Sequence, residues 1–496
     1  MIPVSIMSSR PRIVLRVLLI LSAVVLMTPV VATVVIRSRE RDSVPDAKKI
    51  ARTLSIIRSS TPNDRKVLKV LFYGQSITKS GWDKAVIEHW HQQYPNTIFV
   101  TQNRALGGFP SQALVRTTEQ DIEAFYPDLI IFHVYGDHRA YEKIIRLFRS
   151  LTAADVLVQT DHGDVMPDPP CEEGLHLTLS HLPGCKGRLW YRQQMWNDEM
   201  SYHRIPAFAK KYGLALEPQR DWWREYLIRT GTRPGDLLQD EIHPNERGKQ
   251  LIAEFFNRYF DGLVSQYNAE KAQDVTAMTP SHADRASGNE VVQFEGSRLE
   301  LISEKPLPAW PQVTVDGQSP ANLDGCYQVS RASSVGTVPD WPALRRITLQ
   351  HDHLAEDWTT TLAEFSSDQK SFTFTVQGSR SGAEGSGRSD QRFVSRLGNL
   401  EIEPDDWMIE RAWEHSHQAI HAPFQVSWSV DYVCGGKPEV IDRGNGATEY
   451  RYVLATDLPD GHHSITLSGS PEAMQDIDHL NAYKPRIRER ETVSGS

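Results

Sequence analysis

Two short stretches of the chain carry the residue types that nucleophilic catalysis requires. In Phe72-Tyr73-Gly74-Gln75-Ser76-Ile77-Thr78 a serine stands just past an apolar run. In Asp240-Glu241-Ile242-His243-Pro244-Asn245 an aspartate precedes a histidine by three residues. A serine hydroxyl is a weak nucleophile until a base takes its proton, and the imidazole that takes it needs an acceptor to orient it. A D-x-x-H turn supplies base and acceptor together. Ser76 as nucleophile, His243 as base and Asp240 as its orienting partner therefore form a candidate set. Each also has a plainer reading, Ser76 as the cap of the following helix and 240–243 as a surface loop. The Pro-Asn continuation and Gly248 in the next helix make the second stretch the more specific.

These residues need a frame, and the hydrophobic pattern supplies one. The runs 67–73, 97–100, 129–134 and 155–159 read as buried strands, with helical spacing over 82–94 and 246–260. Strands alternating with helices imply a doubly wound, mostly parallel α/β sheet over 66–268, whose strand carboxyl ends are where ligands bind. Ser76 lies at the first of those ends. Residues 46–65 are polar and read as a stalk, and 269–290 are small and polar and read as a linker. Beyond them the period changes to two, at 291–294, 298–302, 312–315, 372–376, 425–430 and 464–467. That pattern implies an all-β sandwich over 291–475, followed by a charged tail at 476–496; 313–317 and 458–465 resemble paired elements of a jelly roll, which implies an inserted unit at 324–436 between them.

With both motifs in this order, the region 66–259 resembles the SGNH hydrolase (GDSL esterase) superfamily. The family's first block, G-D-S, appears as Gly74-Gln75-Ser76, and its last, D-x-x-H-P-N, is matched in full by 240–245. The resemblance implies a flavodoxin-like sheet, Ser76, His243 and Asp240 as the catalytic set, and no cofactor. G-Q-S is the form carried by some carbohydrate acetylesterases of the superfamily, which implies an acylated carbohydrate as substrate. The second block, Asn103-Arg104-Ala105-Leu106-Gly107-Gly108, implies an oxyanion hole made by the N–H groups of Ser76 and Gly108. The third block, G-x-N-D, appears as Tyr135-Gly136-Asp137-His138. An ionised Asp137 cannot donate a hydrogen bond, so His138 is expected to replace the missing Asn as donor.

Two other local readings compete. His133, Asp137, His138, Asp161, His162 and Asp164 cluster near the ends of strands three and four, where such groups bind divalent ions. Without helix-borne ligand spacing they read as the rim of a polar pocket, and no metal is expected. Trp190, Tyr191, Trp222 and Trp223 offer sugar-stacking faces or core packing.

The 496 residues carry 54 basic and 63 acidic side chains, a formal charge of −9 with no basic stripe. This excludes nucleic acid as a partner. Mean hydropathy is −0.44, which excludes a polytopic membrane protein but not one span. Residues 17–36 are uncharged and apolar, about 30 Å of helix. Arg10, Arg12 and Arg16 precede them, so 1–45 reads as a signal anchor holding the catalytic part outside the cytoplasm. A cleaved signal peptide is the competing reading. Of four cysteines, Cys171 and Cys185 bracket a short loop that a disulfide would close, leaving Cys326 and Cys434 as the remaining pair. The function implied is hydrolysis of O-acyl, chiefly acetyl, esters on a carbohydrate. An O-acyltransferase with the same three residues and a weakly active glycan-binding surface protein are the alternatives.

Overall fold

A computed structural model describes residues 44–163, 195–267, 275–278, 288–350 and 353–487. The apolar run 17–36, Cys171, Cys185, Asp164, Trp190 and Tyr191 lie outside the described residues. Among the described residues no helix is long and apolar enough to cross a membrane.

The first half is built on a five-stranded parallel sheet. Its strands are β1 (Val67–Gly74), β2 (Ile98–Asn103), β3 (Leu129–His133), β4 (Asp155–Gln159) and β5 (Ala215–Glu217), in the order β2-β1-β3-β4-β5. This is the flavodoxin-like doubly wound order, which leaves a crevice at the carboxyl ends of β1 and β3. In register, Gly74 at the end of β1 stands opposite His133 at the end of β3. Every residue of β1, β3 and β4 is buried, as strands covered by helices on both faces must be.

The helices are α1 (Val44–Lys49), α2 (Ala51–Ser59), α3 (Ser76–Lys79), α4 (Trp82–Gln93), α5 (Ser111–Leu114), α6 (Thr118–Glu123), α7 (His138–Leu151), α8 (Ile205–Tyr212), α9 (Gln219–Thr230) and α10 (Glu246–Gln266). On one face Trp82, Trp90, Phe256 and Phe260 pack around Phe72 of β1.

Three expectations about the flanks are corrected. The stretch 46–65 is no stalk, because α1 and α2 lie on the sheet. Ala47, Ile50, Leu54 and Ile57 are buried at three- and four-residue spacing, and the Thr53 N–H donates to Asp155 (2.8 Å). The linker 269–290 contains β6 (Val275–Met278). The charged tail contains β21 (His479–Tyr483), which pairs on both sides, with β6 and with β8 (Arg298–Ser303). Beyond β21, Arg486 still reaches the buried Asp155 at 2.9 Å.

The second half is antiparallel. β7 (Asn289–Glu295), β8 (Arg298–Ser303), β9 (Gln312–Val315), β18 (Glu439–Gly444), β19 (Ala447–Ala455), β20 (His462–Ser468), β6 and β21 make two sheets, β18-β19-β8-β21-β6 and β7-β20-β9. Their facing residues, among them Leu299, Leu301, Leu454, Ile465 and Leu480, enclose one core. Between β9 and β18 the chain makes two sheets of its own, the smaller of β11 (Thr348–Leu349), β15 (Phe393–Val394) and β16 (Leu400–Ile402). The larger, β10-β17-β12-β13-β14, is formed by Tyr327–Val329, Phe424–Tyr432, Glu356–Ala363, Thr373–Gly378 and Gly382–Arg388. A disulfide joins Cys326 to Cys434, where this unit leaves and rejoins the sandwich.

The unit shares a core with the parallel-sheet half. Trp341, Ala343 and Leu344 are buried with Leu106, Phe109 and Leu114. Charged pairs frame the junction: Arg116 grips Asp406 with two bonds (2.8 and 2.6 Å), and Arg331 grips the buried Asp121 likewise (3.1 and 2.7 Å). Two-pronged arginine–carboxylate bonds of this kind fix orientation as well as proximity.

One strand carries a buried acid. Burial pushes the Glu217 carboxyl up to about 8, and the hydrogen bond from Gln159 (2.8 Å) offsets this only in part. The unfolded carboxyl titrates at about 4.3, so the folded protein holds the proton more tightly. Stability present below that value is lost as pH rises from there to about 8. Glu217→Gln keeps a neutral hydrogen-bonding group. Its melting temperature is expected to exceed wild type by several degrees at about pH 9 and by little at about pH 4. An equal difference at both pH values would contradict the assignment.

Candidate active site

β1 delivers Ser76 to the sheet edge through a tight passage. A Cβ on Gly74 would lie 2.0 Å from the His133 carbonyl oxygen and 2.5 Å from Thr78 Oγ1, so only glycine fits. Gln75 is extended, and Ser76 is the first residue of α3. Two bonds fasten that helix: Thr78 Oγ1 donates to the His133 carbonyl (3.2 Å), and Asn103 Nδ2 donates to the Thr78 carbonyl (2.9 Å). The asparagine of the second block is thus a brace for the serine helix.

His243 meets Ser76 from the loop before α10. Its Nε2 lies 2.9 Å from Ser76 Oγ, and its Nδ1 lies 2.8 Å from Asp240 Oδ2. An ionised carboxylate only accepts, so Nδ1 carries the proton and Nε2 is left to accept from the serine hydroxyl. Asp240 also accepts from the N–H groups of Ile242 and His243, each at 2.7 Å. Burial pushes its carboxyl up, but these two bonds and the imidazole outweigh that and hold it below the usual carboxylate range.

The Pro-Asn continuation has a local reason. Asn245 caps α10 by accepting from the Gly248 N–H (3.1 Å) and donates to the Asp236 carbonyl (3.2 Å). A Cβ on Gly248 would lie 2.2 Å from the Leu237 carbonyl oxygen, which explains the glycine.

The residues expected to supply backbone donors for an oxyanion are Ser76 and Gly108. The Ser76 N–H is an unpaired donor at a helix start. Gly107 passes close to Ser76, since a Cβ on it would stand 3.9 Å from Ser76 Cβ, and Gly108 has φ of +74°. Among the described residues the N–H groups of Ser76 and Gly108 meet no acceptor.

His138 stands at the start of α7. Asp137 caps α7, accepting from Arg139 N and Ala140 N (2.9 Å each), and His138 opens the helix with its ring edge-on to Trp196, 5.6 Å away. Among the described residues no hydrogen bond joins it to Ser76, Gly108 or His243. Asp137 thus serves the helix as a cap.

Sequence reasoning missed a support beneath the histidine loop. His162 Nε2 donates to the Ile242 carbonyl (2.7 Å), one residue before His243. Asp161 lies between His162 (3.0 Å) and His133 (3.3 Å). Burial raises its carboxyl, but the two imidazoles more than reverse this and drive it far below the ordinary range. These residues buttress the loop. Among the described residues no group of three His, Cys, Asp or Glu is disposed to hold a metal ion. Trp223 is fully buried against His162, and Trp222 packs on Phe255 and Tyr259, so both belong to packing.

No protein-family model matches the chain, and no curated protein matches it. Among solved structures it is similar to an alpha/beta hydrolase enzyme from the metagenome of Lake Arreo, Spain. Identity there is 17% and the TM-score 0.29, over 40% of this chain and 96% of that one. It is similar to an acetylxylan esterase from Geobacillus stearothermophilus at 14% identity and a TM-score of 0.29, over 41% of this chain and 97% of that one. It is also similar to a two-domain esterase active on acetylated mannans, co-crystallised with mannopentaose. That likeness has 12% identity and a TM-score of 0.33, over 88% of this chain and 96% of the other.

Proposed function

We propose that the protein is a membrane-anchored serine esterase that removes O-acyl groups, acetyl foremost, from a carbohydrate outside the cytoplasm. The observation that carries this reading is the continuous contact of Ser76 Oγ with His243 Nε2 and of His243 Nδ1 with Asp240. His243 takes the serine proton as Oγ attacks the ester carbonyl. The carbonyl oxygen, now an anion, is met by the N–H groups of Ser76 and Gly108. Collapse breaks the bond to the sugar oxygen, which takes the proton from His243, and an acyl-Ser76 remains. Water, deprotonated by His243, then releases the carboxylic acid and restores the serine. Asp240 holds the tautomer and stabilises the imidazolium throughout.

The carbohydrate is supported by the G-Q-S form of the first block. The location is supported by the apolar run 17–36 with arginines before it and by the Cys326–Cys434 disulfide, a bond that persists in oxidising compartments. The test is acetate release from an acetylated polysaccharide by the detergent-solubilised full chain. Free acetate in plain buffer is the expected result. Loss of acetyl groups only when an acceptor sugar is added, with the acetyl recovered on that sugar, would instead mark a transferase.

A further inference from the structure

The loop that presents Gly108 is held from the other half of the chain. Residues 106–109 form a turn in which the Phe109 N–H donates to the Leu106 carbonyl (3.2 Å), and φ of +74° at Gly108 is that of the third residue of a type II turn. Type I and type II turns differ chiefly by a half-rotation of the central peptide, here the one joining Gly107 to Gly108. With two glycines at the centre neither arrangement is sterically barred, so the turn itself does not choose between them.

Trp341 supplies the choice. Its Nε1–H donates to the Gly107 carbonyl at 2.6 Å. A Cβ on Gly108 would lie 2.8 Å from the Trp341 ring, whereas a Cβ on Gly107 would face Ser76. The indole therefore meets this peptide at the Gly107 carbonyl and at Gly108, while Ser76 approaches it at Gly107. In a planar trans peptide the C=O and N–H point in opposite directions, so holding the carbonyl toward Trp341 turns the Gly108 N–H away from the indole. The indole is itself fixed: it is buried, packs edge-on against Phe109 and stacks on His415. Its neighbour Asp340 pairs with Lys79 of the nucleophile helix at 2.5 Å.

We propose that Trp341 is a positioning residue that locks the 107–108 peptide with its N–H aimed at the oxyanion, so that the β half completes the hydrolytic site. This rests on the esterase reading above. The test uses the full chain with Trp341→Phe, which removes the donor and keeps a ring. A second variant carries β-(3-benzothienyl)alanine at 341, which keeps the indole shape and replaces N–H by sulfur, and it decides the matter should the first fail to fold.

The expected result with 4-nitrophenyl acetate is a fall in kcat of about tenfold with KM unchanged within about twofold, because the lost orientation matters in the transition state. Inhibition by phenylboronic acid, which forms a tetrahedral adduct on a serine, should weaken by about the same factor. A folded variant whose kcat and boronate inhibition match wild type overturns the proposal, even if its melting temperature falls, since that is the mark of packing alone. Ser76→Ala is run alongside: its inactivity beside an unimpaired Trp341 variant sinks this inference only, whereas its retained turnover sinks the esterase reading.

Discussion

Ser76→Ala is expected to lower kcat for acetyl-ester hydrolysis by roughly a millionfold while the melting temperature stays within about 2 °C of wild type. Without Oγ no acyl-enzyme forms, and the bound water that replaces it lacks the geometry in which His243 Nε2 faces the nucleophile at 2.9 Å. His243→Ala is expected to cost a similar factor, because the hydroxyl then has no base. The two losses do not add, since each removes the same step, and the double variant should match either single one. Asp240→Asn should cost less, up to about ten thousandfold, by favouring the wrong imidazole tautomer. Steady-state rates with 4-nitrophenyl acetate read all four. Substantial turnover in Ser76→Ala, or additive losses, would contradict the mechanism.

The second large effect concerns stability. Cys326 and Cys434 lie 108 residues apart in sequence, and both are buried. Closing a loop of about that length removes enough freedom from the unfolded chain to stabilise the fold by about 4–5 kcal/mol in the chain-entropy account. Cys326→Ser with Cys434→Ser is therefore expected to lower the melting transition of the β half by roughly 10–15 °C. Calorimetry of the full chain checks it, with wild type under a reducing agent as a parallel sample. The transition of the parallel-sheet half should move far less. A double variant that melts within about 2 °C of wild type would contradict the stapling role.

How much of this was legible in the sequence depended on how local each signal is. β1, β3 and β4 show themselves because strands covered on both faces are unbroken apolar runs. β5 does not, because it is three residues long and one of them is the buried acid Glu217. The α1–α2 pair hid in plain sight. Ala47, Ile50, Leu54 and Ile57 have helical spacing, but the charges between them, including the buried Arg52, gave the segment the texture of a stalk. β21 was masked by the charged residues around it, although its place between β6 and β8 is internal to the sheet.

At the site, Asp240 and His243 are readable because three residues of turn bring them together. The supports are not readable, since they cross long distances in sequence. His162 reaches the Ile242 carbonyl from 80 residues away, and Trp341 reaches the Gly107 carbonyl from 234. Position 137 answers to the capping of α7, and the His138 ring after it packs edge-on to Trp196.

The most direct test of the central claim is to treat the full chain with a fluorophosphonate and locate the adduct by peptide mass spectrometry. The account predicts one phosphonyl group per chain, on the peptide containing Ser76, with labelling lost in His243→Ala and in Ser76→Ala. Labelling on another residue, or unchanged labelling in the His243→Ala protein, would contradict it.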